Sequence, residues 1–135
     1  MKEKLLFGLL VIGVILASGC TTQVSTFTIT DAKMCSGIEN LEPMGLTSTF
    51  ALDSPEINVW YSWAHAPSDT KLRAIWLYTT GNITIIESPE LTLPDISGKG
   101  NFNITKPTAG WPIGDYKVDL YANDNLVRSV SFKVE

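Results

Sequence analysis

The stretch INVWYSW at residues 57–63 decides the fold, because apolar side chains recur in it at every second position. Those positions are Ile57, Val59, Tyr61 and Trp63. Successive side chains of a β-strand point to opposite faces, so the pattern predicts a strand with one apolar face. The other face is expected to carry Asn58, Trp60 and Ser62. After a turn at residues 66–69, the stretch KLRAIWLY at residues 71–78 repeats the pattern with Leu72, Ala74, Trp76 and Tyr78.

The chain from residue 24 onward consists of similar short stretches and has no convincing helical period. Proline, glycine, asparagine and aspartate separate them, as they do in turns between strands. Further candidate strands lie at residues 27–29 with an extension to residue 34, and at residues 83–86, 91–93, 102–104, 116–120 and 130–134. Seven or eight strands at this spacing predict a single all-β, antiparallel sandwich over residues 27–135.

Two features resemble the immunoglobulin-like and fibronectin type III-like sandwiches of bacterial and archaeal surface proteins. Trp76 lies in mid-strand, where that family has the core tryptophan of its third strand. In the stretch GDYKV at residues 114–118, Tyr116 precedes Val118 by two residues, as in a tyrosine corner. The resemblance implies a two-sheet sandwich of about seven strands with Trp76 and Tyr116 in the core. Val118 replaces the usual cysteine, so the disulfide of antibody domains is not expected.

The first residues have the order of features found in an export signal. Lys2 and Lys4 precede an uncharged apolar stretch, residues 5–17, which is shorter than the ~20 residues of a membrane-spanning helix. The sequence ASGC at residues 17–20 resembles the lipobox of prokaryotic lipoproteins, with alanine where leucine is preferred. The resemblance implies cleavage after residue 19 and a diacylglyceryl thioether on Cys20. An uncleaved anchor and an ordinary signal are the alternatives, and both also export the domain.

We therefore expect a signal peptide at residues 1–19, a tether at residues 20–26 and the sandwich at residues 27–135. Two acyl chains on Cys20 would hold the domain on the outer face of the membrane, on the extracellular or periplasmic side. Cys35 is then the one remaining thiol, and we interpret it as a small buried apolar side chain. A reactive Cys35 thiol is the alternative, as is a Cys20–Cys35 disulfide in a chain that is not lipidated.

Few residues suggest chemistry. The net charge is −4 and no lysine or arginine cluster occurs, which argues against a nucleic-acid partner. His65 is the single histidine and lies at the end of a predicted strand, while Glu87 and Glu90 flank a predicted loop. No spacing of histidine, cysteine or carboxylate residues is typical of a metal site. We therefore expect no catalytic residue, no metal and no cofactor.

The stretch KPTAGW at residues 106–111 is similar to a binding loop of chagasin-type cysteine protease inhibitors, which are also immunoglobulin-like. That family places the loop early in the chain and adds a glycine-rich loop and an Arg-Pro-aromatic loop, and neither occurs here. The alternative is a rigid connection with Trp111 packed over the edge of the sandwich. An inhibitor should display residues 106–111 on an exposed loop beside two other loops at one end.

A partner surface follows from the strand period. If Trp76 and Tyr78 point inward, Ile75 and Leu77 point outward, and the same rule directs Tyr121 outward. Ile75, Leu77 and Tyr121 are thus predicted to form an apolar partner-binding patch. The predicted charged rim of the patch consists of Arg73, Lys117 and Asp119.

The leading hypothesis is a non-enzymatic cell-surface lipoprotein whose sandwich is a binding or accessory module for an envelope protein or glycan. A surface-presented protease inhibitor of immunoglobulin-like fold is the alternative. The domain also contains two Asn-x-Thr sequences, which are acceptor motifs for N-linked glycosylation of the domain itself. Asn82 is expected in an exposed turn, and Asn103, late in a strand, is expected to be less accessible.

The first prediction concerns Cys20. Each buried methylene contributes about 0.8 kcal/mol to membrane binding, so two acyl chains hold a protein that one chain holds only marginally. The variant Cys20→Ser should lose both membrane retention and the mass of the lipid, measured by detergent partitioning and intact mass. Unchanged retention and mass would contradict the lipidation of Cys20.

Overall fold

The computed structural model describes residues 26–135, which form ten strands in two sheets. The strands are β1 (Thr28–Glu39), β2 (Glu42–Leu46), β3 (Thr49–Phe50), β4 (Glu56–Ala64), β5 (Lys71–Tyr78), β6 (Ile83–Glu87), β7 (Leu91–Thr92), β8 (Gly98–Thr105), β9 (Gly114–Ala122) and β10 (Asn125–Val134). The predicted signal peptide, Cys20 and the tether up to residue 25 lie outside the described residues. Within residues 26–135 no helix has the length and apolar character needed to cross a membrane.

The predicted all-β sandwich is confirmed. Its six-stranded sheet has the order β3-β10-β9-β5-β6, with β7 also paired to β5, and its four-stranded sheet has the order β2-β1-β4-β8. All pairings are antiparallel except the short parallel pairing of β3 with β10. The count of ten exceeds the expected seven or eight because β2 and β3 were missed. The β2 sequence EPMGL contains proline and glycine without alternation, and β3 has only two residues.

The core lies between the two sheets, and the predicted inward faces are confirmed. Ile57, Val59, Tyr61 and Trp63 of β4 are all buried, as are Leu72, Ala74 and Trp76 of β5. Trp76 is 1% exposed and meets the ring of Phe132 edge-on, at a centroid distance of 6.0 Å. Tyr116 is 2% exposed and stacks on the same ring at 5.1 Å. Trp76 and Tyr116 are therefore core anchors, joined through Phe132.

The outer face of β4 is largely covered. Trp60 is 6% exposed and Asn58 only 1%, and both contact the β1–β2 hairpin. The indole Nε1 of Trp60 donates to the carbonyl oxygen of Leu41 at 2.8 Å. The side-chain amide of Asn58 donates to the carbonyl oxygen of Ser36 at 3.3 Å. Since the hairpin is remote from β4 in sequence, local alternation could not reveal this cover.

Cys35 is buried, as predicted for a small apolar side chain. It is 0% exposed and belongs to no disulfide among the described residues. Burial raises the pKa of its thiol. A neutral, inaccessible thiol is a poor nucleophile, so the structure supports a packing role for Cys35.

The stability prediction tests the core anchor. Trp76→Ala should lower the free energy of unfolding by about 3–5 kcal/mol, because it removes a large buried side chain and leaves a cavity. Equilibrium urea unfolding measures the change. The matched control is Ile96→Ala, since Ile96 is 67% exposed and its truncation should change stability by less than about 0.5 kcal/mol. A loss below about 1 kcal/mol for Trp76→Ala would show that Trp76 is not a core anchor.

The buried tyrosines predict a loss of stability at alkaline pH. Burial raises the pKa of Tyr61 and of Tyr116 from the usual value near 10 to about 12. Below pH ~10 both phenols are protonated in the folded and unfolded chain, so their stabilisation is fully present. Between about pH 10 and pH 12 the unfolded chain binds fewer protons than the folded domain, so the free energy of unfolding falls as pH rises. Urea unfolding across this range should show the fall, and the double variant Tyr61→Phe, Tyr116→Phe should flatten it. An unchanged slope in the double variant would assign the effect to other groups.

Candidate binding groove

Exposed apolar side chains gather around the edge strand β6 and the loops beside it. They include Leu52, Ile83, Ile85, Ile86 and Ile113, of which Ile83 is 56% and Ile113 is 61% exposed. Single exposed apolar side chains are normal on protein surfaces, whereas a group of them is typical of a contact site. This side of the sandwich is therefore the first place to look for a binding surface.

Both sheets end on this side without a strand to close the gap. All five residues of β6 are exposed, and β6 pairs with β5 through Ile83–Tyr78 and Ile86–Trp76. No strand of residues 26–135 pairs with its other edge. In the other sheet β8 is also an edge strand, paired only with β4 over the same residues. A gap that is open to solvent consequently lies between β6 and β8.

The gap forms an apolar groove, made of two adjoining cavities of about 440 and 250 Å³. Ile85, Pro107 and Trp111 line both cavities and make the groove continuous. The larger cavity is also lined by Tyr78, Ile83, Thr84, Ala109, Gly110, Pro112 and Tyr116, and the smaller one by Ile86, Asn103, Ile104 and Thr105. None of these side chains is charged, so the groove suits an uncharged, apolar ligand.

Three aromatic side chains hold the loop at residues 106–113 as one wall of the groove. The hydroxyl of Tyr116 donates to the carbonyl oxygen of Pro112, which confirms the predicted tyrosine corner. The hydroxyl of Tyr78 donates to the carbonyl oxygen of Ile113, and the indole Nε1 of Trp111 donates to that of Ser54, both at 2.7 Å. The polar atoms of these three side chains therefore already have protein partners. Their rings present mainly carbon to the groove.

The groove lies at the end of the sandwich opposite Thr26. Thr28 pairs with Ala64 at the end of β4, and the Thr26 hydroxyl donates to the carbonyl oxygen of His65. From this end β5 and β8 both run toward the other end, where Tyr78 and residues 106–113 lie. Ile96 belongs to the Thr26 end, because its carbonyl oxygen accepts a hydrogen bond from Ala66.

The predicted patch residues lie on the outer face of the six-stranded sheet, and all three are half-buried. The register places Leu77 beside Lys117 and Ile75 beside Asp119, so charged side chains lie between the apolar ones. Tyr121 is covered by the guanidinium group of Arg73, 4.8 Å from its ring centre. Binding at Ile75, Leu77 and Tyr121 stays a prediction.

Asp119 differs from its expected position on a solvated rim. It is 6% exposed, accepts a hydrogen bond from the hydroxyl of Ser129 and lies 3.6 Å from the ammonium group of Lys117. Its neighbour strand β10 supplies the hydroxyl, which the local sequence around Asp119 does not indicate.

The two candidate glycosylation sites are both exposed. Asn82 lies in the turn between β5 and β6, with a positive φ of 55° that asparagine tolerates. Asn103 is also exposed, contrary to the expectation of lower accessibility, because β8 is an edge strand. Glycosylation of either asparagine stays a prediction.

The stretch at residues 106–111 divides into an exposed and a buried part. Residues 106–109 are exposed at the groove end, where residues 51–55 and 79–82 also connect strands. Trp111 is 4% exposed, and its backbone N–H donates to the carbonyl oxygen of Leu52. The alternative interpretation, with Trp111 packed over the edge of the sandwich, agrees with this burial.

The two side chains considered for nucleophilic catalysis, His65 and Cys35, lie apart in the structure. His65 is exposed in a turn, with a positive φ of 60°. Within residues 26–135 no three or more histidine, cysteine or carboxylate side chains are grouped to hold a metal ion. The buried thiol of Cys35 lies on β1 beside Asn58, several residues along the sheet from the strand end that carries His65.

Comparisons with known proteins agree with the architecture. No protein-family model and no curated protein sequence matches the chain. Among solved structures, an immunoglobulin-like protein from Pseudomonas aeruginosa matches with a TM-score of 0.53 and 16% identity, over 81% of this chain and 96% of that one. An alkylpurine DNA glycosylase from Pseudomonas fluorescens, solved bound to DNA containing an abasic site analogue, matches with a TM-score of 0.53 and 13% identity.

The match to the DNA glycosylase covers 82% of this chain but only 30% of the glycosylase chain. A Niemann-Pick type C2 protein from the Japanese carpenter ant has a TM-score of 0.46 and 13% identity, over 82% of this chain and 93% of that one. At these identities a structural match shows the fold alone. The chain has an immunoglobulin-like β-sandwich fold.

Proposed function

We propose that this chain is a lipid-anchored, non-enzymatic binding module that presents its apolar groove to a protein of the cell envelope. The observation that carries the proposal is the position of the groove, which lies at the end of the sandwich opposite Thr26. If Cys20 is lipidated, the tether joins the membrane to the Thr26 end. The groove then faces away from the lipid, toward neighbouring envelope proteins.

The length of the tether supports this orientation. Seven extended residues reach at most about 25 Å, so the Thr26 end stays close to the bilayer surface. An eight-residue strand such as β5 spans about 26 Å along the sandwich. In the proposed orientation the groove end lies farther from the surface than the Thr26 end by roughly the length of one strand.

The chemistry of the groove favours a protein partner over a glycan and over a substrate. Its lining has no charged side chain, and the polar atoms of Tyr78, Trp111 and Tyr116 are bonded to the backbone. Catalysis needs a group that can donate, accept or attack at the reacting atoms. This surface can bury the apolar side chains of a protein partner.

Protease inhibition is the second candidate function. Residues 106–109 are exposed beside residues 51–55 and 79–82 at one end of the sandwich, as expected of an inhibitor, whereas Trp111 of the same loop is buried. The discriminating assay is titration of a papain-type protease with the full chain. Tight inhibition that is lost on Thr108→Lys would favour the inhibitor, whereas an uninhibited protease would exclude this class of target.

The binding prediction compares three lysine substitutions in capture experiments on native membranes after crosslinking. Ile83→Lys should lower the yield of the captured partner at least about tenfold, because an unpaired charge is costly in an apolar interface. Ile96→Lys is the matched control and should leave the yield unchanged, since Ile96 is at least as exposed as Ile83 and lies at the opposite end. Leu77→Lys tests the predicted patch on the outer face of the sheet.

Three outcomes separate the two surfaces. Loss of the partner with Ile83→Lys alone assigns binding to the groove. Loss with Leu77→Lys alone, in a folded variant, assigns binding to the patch and contradicts the groove. Full capture by all three variants would contradict both surfaces.

A further inference from the structure

We infer that the ligand of the groove is an extended polypeptide strand, which pairs with the open edge of β6 and places every second side chain in the groove. This inference rests on the proposed function and names the chemistry of the partner. Two properties of β6 support the inference. One backbone edge of the strand is unpaired, and an apolar cavity lies directly beside that strand.

The outer edge of β6 has only one of the features that usually prevent strand addition, a bulge at Ile85, where the register with β5 shifts. Natural sheets protect their edges with charged side chains, proline, bulges or a covering loop. Residues 83–86 are Ile-Thr-Ile-Ile, without charge or proline, and all four are exposed. Glu87, at the end of the strand, forms a salt bridge with Arg73, in which its carboxylate oxygen lies 3.0 Å from a guanidinium nitrogen. The outer edge of β6 therefore offers N–H and C=O groups that a further strand can pair with.

The groove lies where the side chains of an added strand would point. A strand beside β6 would run over the gap between β6 and β8, and its alternate side chains would be directed between the sheets. Ile85 lines both cavities there, and Trp111 forms the far wall of both. The uncharged lining selects uncharged side chains, and β-branched or aromatic residues fit an extended segment best. About five residues, roughly 17 Å, would match the length of β6.

A polypeptide satisfies both features of the site, and an acyl chain satisfies only one. An acyl chain would fill the apolar cavities but leave the backbone edge of β6 to water. A peptide strand buries apolar side chains and also forms main-chain hydrogen bonds, as in the general mode of strand addition to an exposed sheet edge. The segment is accordingly uncharged and alternates apolar inward residues with polar outward ones.

The probe for this inference is a capped heptapeptide that alternates threonine and valine. The full chain is placed in lipid nanodiscs, and backbone hydrogen exchange is followed with and without the peptide. Exchange at residues 83–87 should slow at least about tenfold at saturation, because the edge amides become hydrogen-bonded. A matched depsipeptide, in which esters replace the amides, should bind at least about tenfold more weakly, since it lacks N–H donors.

Two variants test the side-chain part of the same site. Ile85→Lys should weaken peptide binding at least about tenfold, because it places a charge where the inward valines lie. Ile96→Lys, at the opposite end, should leave peptide binding unchanged. Equal loss in both variants would overturn the assignment to the groove.

Two results would overturn strand addition. They are equal affinity of peptide and depsipeptide, and unchanged exchange at residues 83–87 with the peptide at about 1 mM. Neither bears on capture of an envelope protein by the groove, so a failure of the inference is distinguishable from a failure of the proposed function. Protection of β6 that rises with protein concentration in the absence of peptide would identify a second copy of this chain as the occupant and would overturn a separate partner.

Discussion

One side chain, Tyr116, connects the core of the sandwich to the surface that we propose as its binding site. Its ring stacks on Phe132 at 5.1 Å, and its hydroxyl donates to the carbonyl oxygen of Pro112. The ring centre of Tyr78 lies 4.9 Å from that of Tyr116, and the hydroxyl of Tyr78 donates to the carbonyl oxygen of Ile113. These bonds attach the loop at residues 106–113 to the core, so the core positions the wall of the groove.

The open side of the sandwich follows from its topology. The chain crosses from β6 through β7 to β8, and no strand of the described residues fills the gap between the two sheet edges. The isoleucines of β6 are therefore left exposed, although their positions are typical of strand residues. Exposure of apolar side chains on an unprotected edge carries a risk of aggregation, which a protein tolerates where a partner covers the edge.

The sequence predicts the architecture much better than the site. Alternation identified β4 and β5 with their inward faces, and the spacing from Tyr116 to Val118 identified the tyrosine corner, because both patterns are local. The cover over Trp60 was missed, since it depends on a hairpin distant in sequence. The groove was missed for the same reason: residues 83–87 read as an ordinary strand, and only the sheet order shows that one of its edges is open. Burial of Trp111 was anticipated by one of the two interpretations of its loop.

In the proposed orientation, the groove points away from the membrane to which the chain is anchored. The orientation can be measured through the relaxation of isoleucine methyl groups by a spin label placed in the bilayer of nanodiscs that carry the full chain. We expect stronger relaxation at Ile96, near the Thr26 end, than at Ile85 and Ile113, near the groove. Stronger relaxation at Ile85 and Ile113 than at Ile96 would place the groove against the lipid and contradict the proposed orientation.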